Sequence, residues 1–179
     1  MPDSLPTPGA SSAPPELKHV YLSLGSNLGD RAANLRAALG QLTANGVRID
    51  RVSSFYKTQP VDFAPQRWFV NCVAEATTTL MPLQLLKAVK SVERALGRHS
   101  GTPKGPRPID IDILLFENVV VRTGALTIPH ERLAERRFVL IPLRELAPHL
   151  QHPVLKRTVL EMLHDAQDSS RVVRIRSEL

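Results

Sequence analysis

The sequence predicts an α+β fold, a ferredoxin-like split βαβ sandwich in which helices pack on an antiparallel-rich sheet. Two observations predict it. Apolar periodicity switches between strand and helix in the order β-α-β and again β-α-β, and the connections are short enough that successive strands must pair. At 179 residues with 42% hydrophobic content, the chain can bury one sizeable core but hardly two. The expected organisation is a Pro/Ser-rich disordered tail over 1–18 and one globular domain over 19–179, with the helices on one face of the sheet.

The tail is expected because Pro2, Pro6, Pro8, Pro14 and Pro15 stand among Ser, Thr and Gly, with neither a basic start nor a signal-length apolar run. His19–Leu24 is β-rich and meets Gly25-Ser26-Asn27, turn chemistry that ends a strand. Helical spacing of Ala32, Leu35, Ala38, Leu39 and Leu42 follows, with Asp30 as N-cap and Asn45-Gly46 as the stop. Val47–Thr58 reads as one strand and Trp68–Thr79 as another, separated by a loop carrying Pro60 and Pro65. Pro82 opens a helix that closes at Gly97, with Leu85, Leu86, Val89, Val92 and Leu96 as its apolar stripe. Arg98–Pro108 holds two glycines and three prolines and reads as a loop, after which Ile109–Phe116 is a strand apolar enough to be covered on both faces. Val119–Val121 is a short hairpin partner, and helices are expected near Phe138–Leu146 and Leu155–Asp165.

Charge narrows the partners. A net charge of +6 and a pI near 10.0 favour an anionic ligand, which nucleotides, nucleic acids and acidic membranes all satisfy. No apolar run approaches the roughly 18 residues of a membrane-spanning helix, so no membrane partner is expected. Nucleic acid is disfavoured because aromatics make up only 4% and no strand shows paired exposed aromatics for base stacking. The lone Cys72 suits a reducing, cytoplasmic setting and, between Val70 and Ala74, reads as an inert core thiol.

The sharpest local feature is Asp110-Ile111-Asp112. Strand alternation puts both carboxylates on one face and Ile109 and Ile111 on the other. The pair is either the solvent face of an amphipathic strand or two hard oxygen ligands suited to Mg²⁺. The stretch before it shifts the balance: Arg94, Arg98, Lys104 and Arg107 occur without one carboxylate and lead straight into the acidic strand. Taken alone this is a solvated basic loop or a phosphate clamp; beside a Mg²⁺ site it is what a polyphosphate requires. Pro129-His130 with Arg132, Arg136 and Phe138 is a second basic and aromatic segment, in which His130 is either a phosphate or ribose contact or a structural histidine. Phe69, Asn71 and Val73 share a strand face, where Asn71 is either a strand-end amide or the polar reader of a flat heterocycle.

Taken in order, Leu24-Gly25-Ser26-Asn27-Leu28-Gly29, Ser53-Ser54-Phe55-Tyr56-Lys57-Thr58, Phe69-Val70-Asn71, Glu93 with Gly97-Arg98, Gly105-Pro106-Arg107-Pro108-Ile109-Asp110-Ile111-Asp112, Ile128-Pro129-His130 and Arg136-Arg137-Phe138 resemble the hydroxymethyldihydropterin pyrophosphokinases of folate biosynthesis. The resemblance runs from about Val20 to Pro148. It implies transfer of pyrophosphate from ATP to the hydroxymethyl group of 6-hydroxymethyl-7,8-dihydropterin, with release of AMP, by a monomer. It implies that Asp110 and Asp112 bind two Mg²⁺ ions, that Arg98 and Arg107 serve catalysis, and that Lys90, Glu93, Ile113, Thr127, His130 and Arg136 line the ATP site. The pterin would lie between Phe138 and the strand of Phe69 and Asn71, with Thr58, Gln59 and Val61 at its edge. The loops Val61–Trp68 and Arg98–Pro108 would close over both substrates and be mobile without them. Departures from the family pattern fall at Lys104, Ser100, Lys90, Phe69, Glu131 and Ala125, mostly in the lid and the nucleotide site. A non-catalytic binder of the same fold is the competing reading; the retention of Arg98, Arg107, Asp110 and Asp112 weighs against it.

Overall fold

The computed structural model describes residues 15–60, 66–98 and 105–176. The expected tail lies largely outside the described residues, as do Val61, Ser100, Lys104 and most of the two expected lid segments.

The first strand, β1 (Lys18–Ser26), alternates so that Val20, Leu22 and Leu24 are fully buried on one face. Helix α1 (Arg31–Ala44) starts where expected: the Asp30 carboxylate accepts from the Ala33 N–H at 3.0 Å and satisfies an otherwise orphaned donor. The expected strand Val47–Thr58 is instead two, β2 (Val47–Val52) and β3 (Tyr56–Thr58). The break has a tertiary cause. The Ser54 N–H and hydroxyl both donate to Glu145 Oε1, at 3.0 and 2.9 Å, which turns the chain out of the ladder.

Strand β4 (Phe69–Thr78) is the sheet's central strand, paired antiparallel with β1 on one side and with β2 and β3 on the other. Helix α2 (Pro82–Ala95) opens on its proline and ends before Gly97, whose φ of +88° only glycine adopts readily. Strand β5 (Asp110–Phe116) returns to the open edge of the sheet beside β1. The path is β5-β1-β4-β3-β8 with β2 also on β4, so the antiparallel split βαβ expectation holds.

Three features depart from expectation. Val119–Val121 does not pair with β5: a hairpin of its own, β6 (Val121–Arg122) with β7 (Thr127–Ile128), is closed by Thr123 and Leu126, whose main chains meet at 3.0 Å around Gly124. The C-terminal helix α4 (Val159–Asp165) starts four residues late because Thr158 caps it, accepting from the Glu161 N–H at 3.2 Å. A short strand β8 (Val172–Arg174), absent from the sequence reading, pairs with β3.

The helices also occupy both faces of the sheet rather than one. Helices α1 and α2 cover Val20, Leu22, Leu24, Cys72, Ala74, Ile111 and Ile113. Helix α3 (Arg137–Leu146) and α4 cover Val73, Leu114 and Leu115 on the other side. A register shift beside Tyr21 and Leu22 leaves Leu114 as a bulge, so Leu114 and Leu115 both reach this second core. Each fully buried Leu or Ile stabilises the fold by about 1.5–3 kcal/mol. No helix among the described residues is long and apolar enough to cross a membrane.

One buried charge ties α2 to β5. The Glu93 side chain is 3% exposed, and its Oε1 accepts the Ile111 N–H of β5 at 2.8 Å as well as an N–H of Arg98, while Oε2 pairs with Lys90 Nζ at 2.8 Å. Replacing Glu93 by leucine leaves the buried Ile111 N–H without its acceptor, and the expected loss of about 1–3 kcal/mol is checked by urea denaturation; an unchanged midpoint contradicts this role.

Candidate active site

Strand register brings the polar residues of three strands into rows on the α3 side of the sheet. Asp110, Gly25 and Asn71 sit side by side across β5, β1 and β4, and Asp112, Ser23 and Val73 form the next row. Asp110 and Asp112 share a face because alternation sends Ile109, Ile111 and Ile113 into the opposite core. Gly25 is required here by close approach: a Cβ on it would overlap Asn71 Oδ1. The Asn71 amide is buried and donates to Thr58 Oγ1 at 2.5 Å, so its orientation is set by β3.

Above these rows is a cavity of about 300 Å³. Its lining combines Thr58, Gln59, Phe69, Asn71 and Phe138 with Arg98, Arg107, Asp110, Asp112, His130 and Arg136. Eleven of the residues singled out from the sequence thus meet in one pocket. Four do not line it. Lys90 and Glu93 stand on α2 behind Arg98, the Ile113 side chain is in the α1/α2 core, and Thr127 lines a neighbouring open groove with His130. Val61 lies outside the described residues.

The charges form a connected set. Arg98 bridges Glu93 and Asp110, and Arg107 Nη2 reaches Asp110 Oδ2 at 2.9 Å. Asp112 Oδ2 has His130 Nε2 at 3.7 Å and Arg136 Nη1 at 3.8 Å. Burial, then the neighbouring Asp110, raises the Asp112 carboxyl above the ordinary range, and His130 and Arg136 offset part of this. Burial, offset in part by Asp112, lowers His130 below its ordinary range. Its Nδ1 accepts the Arg132 N–H at 3.1 Å, so the neutral ring carries its proton on Nε2, on the side of Asp112. For Arg98, burial opposes the charge, but Asp110 and Glu93 outweigh it and raise the guanidinium further.

Two arginines rest on the cavity's two aromatic rings: Arg107 lies 5.4 Å from the Phe69 centroid and Arg136 5.6 Å from that of Phe138. Arg107 is held further by Asn27, whose Oδ1 accepts the Arg107 N–H at 2.7 Å and whose own N–H donates to the Arg107 carbonyl at 3.2 Å. Asn27 was missed as a site residue. Its sequence signal is a turn at the end of β1, and its partner lies 80 residues away. Ser23, Gly25, Pro60 and Gln66 likewise line the cavity without having been singled out as site residues.

A metal here would have a hard donor set. Asp110 and Asp112 supply carboxylate oxygens, and among the described residues no group of three or more His, Cys, Asp or Glu could hold an ion. Two carboxylates with no soft ligand fit Mg²⁺, which takes few protein ligands and completes its shell with phosphate oxygens and water.

Comparison with known proteins places this geometry in a family. The model of the family described as 7,8-dihydro-6-hydroxymethylpterin-pyrophosphokinase (HPPK) matches residues 21–148. The 2-amino-4-hydroxy-6-hydroxymethyldihydropteridine pyrophosphokinase of Aquifex aeolicus is 40% identical over 142 residues, covering 79% of this chain and 88% of that protein. The folic acid synthesis protein fol1 of Schizosaccharomyces pombe is 43% identical over 147 residues, covering 82% of this chain but 20% of that protein, so the chain spans about a fifth of this longer relative. In shape, the chain is similar to Plasmodium falciparum HPPK-DHPS solved with pteroate, at a TM-score of 0.67 and 15% identity, covering 83% of this chain and 44% of that one; at this identity the likeness concerns the fold alone. The matched span and the bacterial relative together show that the chain belongs to the 7,8-dihydro-6-hydroxymethylpterin-pyrophosphokinase family.

Proposed function

We propose that the chain transfers pyrophosphate from ATP to the hydroxymethyl group of 6-hydroxymethyl-7,8-dihydropterin in folate synthesis, using Mg²⁺ and releasing AMP. The observation that carries this reading is that one cavity is lined both by Phe69, Phe138 and Asn71 and by Arg98, Arg107, Asp110 and Asp112, with Asn71 and Asp110 in one row of the sheet on either side of Gly25. A flat heterocycle fits between the rings, where the Asn71 amide and the Thr58–Gln59 edge supply donors and acceptors. The charged set suits a polyphosphate.

In the proposed reaction the substrate's hydroxymethyl oxygen forms a bond to the β-phosphorus of ATP, while the bond from that phosphorus to the oxygen bridging to the α-phosphorus breaks and leaves with AMP. The hydroxyl proton passes to solvent. Asp110 and Asp112 hold Mg²⁺, which when bound neutralises phosphate charge and orients the oxygens. Arg98 and Arg107, which pair with Asp110, are then available to the phosphates as bidentate donors. His130 and Arg136 face the same anion from the Asp112 side. Glu93 acts through Arg98 and the β5 main chain, Lys90 through Glu93. Ile113 offers a nucleotide its main chain at the edge of the sheet, and Thr127 stands in the groove beyond His130.

The test is AMP release from Mg²⁺ and ATP with and without the pterin. Pterin-dependent AMP is expected, and Asp112→Ala should lower turnover by roughly 10²-fold or more, in line with loss of charge stabilisation in a phosphoryl-transfer site. Near-normal turnover of that variant at ordinary Mg²⁺ would sink the metal assignment. Gly25→Ala probes the proposed pterin site: by driving the Asn71 amide off Thr58 it should raise the pterin dissociation constant about tenfold, roughly 1.4 kcal/mol, and leave ATP binding within about twofold. Equal losses for both ligands would refute Asn71 as the pterin reader.

A further inference from the structure

The family match ends at residue 148, yet the chain beyond it returns to touch both walls of the cavity. One contact is made by Asp168. Its Oδ2 accepts the N–H of Arg137, the first residue of α3, at 2.9 Å, and its Oδ1 accepts the Ser170 N–H at 2.8 Å. Helix α3 begins without a side-chain cap of its own, so this carboxylate satisfies one of its orphaned donors and sits at the positive end of its dipole. The residues on either side of Arg137 are Arg136 and Phe138, both of which line the cavity. Burial disfavours the Asp168 charge, but the bonds from Ser170 and the Arg137 N–H outweigh it and hold the carboxyl below its ordinary range.

The second contact follows three residues on. The Arg171 carbonyl accepts the Gln59 N–H at 3.0 Å, and β8 then continues the ladder, with Val172 opposite Thr58 and Arg174 opposite Tyr56. Arg174 Nε reaches Ser54 Oγ at 2.8 Å, and the Ile175 N–H donates to the Phe55 carbonyl at 2.8 Å. Thr58 and Gln59 line the same cavity as Phe138, and Thr58 is the residue that orients Asn71. A single short segment therefore bonds at one end to the helix carrying Phe138 and at the other to the strand edge carrying Thr58.

We infer that the segment 168–174 is a clamp that sets the spacing between Phe138 and the Thr58–Gln59 edge, with Asp168 a positioning residue for the flat heterocycle that enters between them. The clamp acts on Phe138 and, through the same first turn of α3, on Arg136, which rests on the Phe138 ring. Asp110 and Asp112 are carried by β5, and the described hydrogen bonds of the segment outside itself go instead to Arg137, Gln59, Ser54 and the β3 ladder. The inference rests on the reading of this cavity as a pterin pocket.

The experiment compares Asp168→Ala and Asp168→Asn with the unaltered chain, measuring KM for 6-hydroxymethyl-7,8-dihydropterin and for ATP. In parallel, the pterin dissociation constant is followed by the fluorescence of Trp68, the chain's one tryptophan. Asp168→Ala should raise both pterin constants about tenfold and ATP KM, through Arg136, by no more than about threefold, and Asp168→Asn, which keeps one acceptor oxygen, should fall between. Should Asp168→Ala fail to fold, the Asn variant alone reads the same split. Pterin and ATP constants rising equally, or pterin constants unchanged while the melting temperature drops, would overturn the clamp and leave Asp168 a merely structural cap. Pterin binding without AMP release in the unaltered chain would refute the proposed reaction and leave the clamp to be decided by the titration; no pterin binding would refute both.

Discussion

The site depends on a carboxylate that lies outside its cavity. Glu93 is buried under the open edge of β5, and its oxygens are shared among the Ile111 N–H, Arg98 and Lys90. An edge strand carrying two aspartates has unpaired main-chain donors and like charges side by side, both unfavourable away from water. Glu93 answers the first by accepting an edge N–H. By holding Arg98 against Asp110 it also answers part of the second. The alternation along β5 does the rest, since the same pleat that buries Ile109, Ile111 and Ile113 under α1 and α2 turns Asp110 and Asp112 toward the cavity.

Charge balance links this frame to the proposed chemistry. Asp110 is paired with two arginines, while Asp112 has His130 and Arg136 at nearly 4 Å and its proton affinity is raised by burial and by Asp110. On the proposed reading such a pair would exchange partners: Asp110 and Asp112 would hold a divalent cation, and the guanidinium groups would be free to bind phosphate oxygens. Arg107 and Arg136 can make that exchange without large motion because each already rests on an aromatic ring at the cavity wall. The proposed heterocycle site is held in a different way. Asn71 is locked between Gly25 and Thr58 by strand register, and Thr58 in turn by β8.

What could be read in the sequence was local. The caps of α1, the proline and glycine that bound α2, and the strand that carries Asp110 and Asp112 are all written within a few residues of themselves. The ordered motifs of the family then named eleven residues that share one cavity. What could not be read depends on partners far along the chain. The break between β2 and β3 comes from Glu145 of α3, the hold on Arg107 from Asn27, and β8 from a ladder with residues more than a hundred positions earlier. The second core under α3 and α4 includes both Leu114 and Leu115, which a bulge at Leu114 turns to the same side and which no periodicity announces. Glu93, Ile113, Lys90 and Thr127 show the limit from the other side: family motifs name them, but their side chains stand behind or beside the cavity.

The central claim is that Asp110 and Asp112 exist to hold metal against a polyphosphate. Its most direct measurement is a Mn²⁺ titration followed by electron paramagnetic resonance, with and without α,β-methylene ATP, on the unaltered chain and on Asp112→Asn. Metal binding that strengthens with the nucleotide analogue and collapses in the variant, with fold and stability retained, is the predicted result; equal Mn²⁺ binding by both proteins in the presence of the analogue would contradict it.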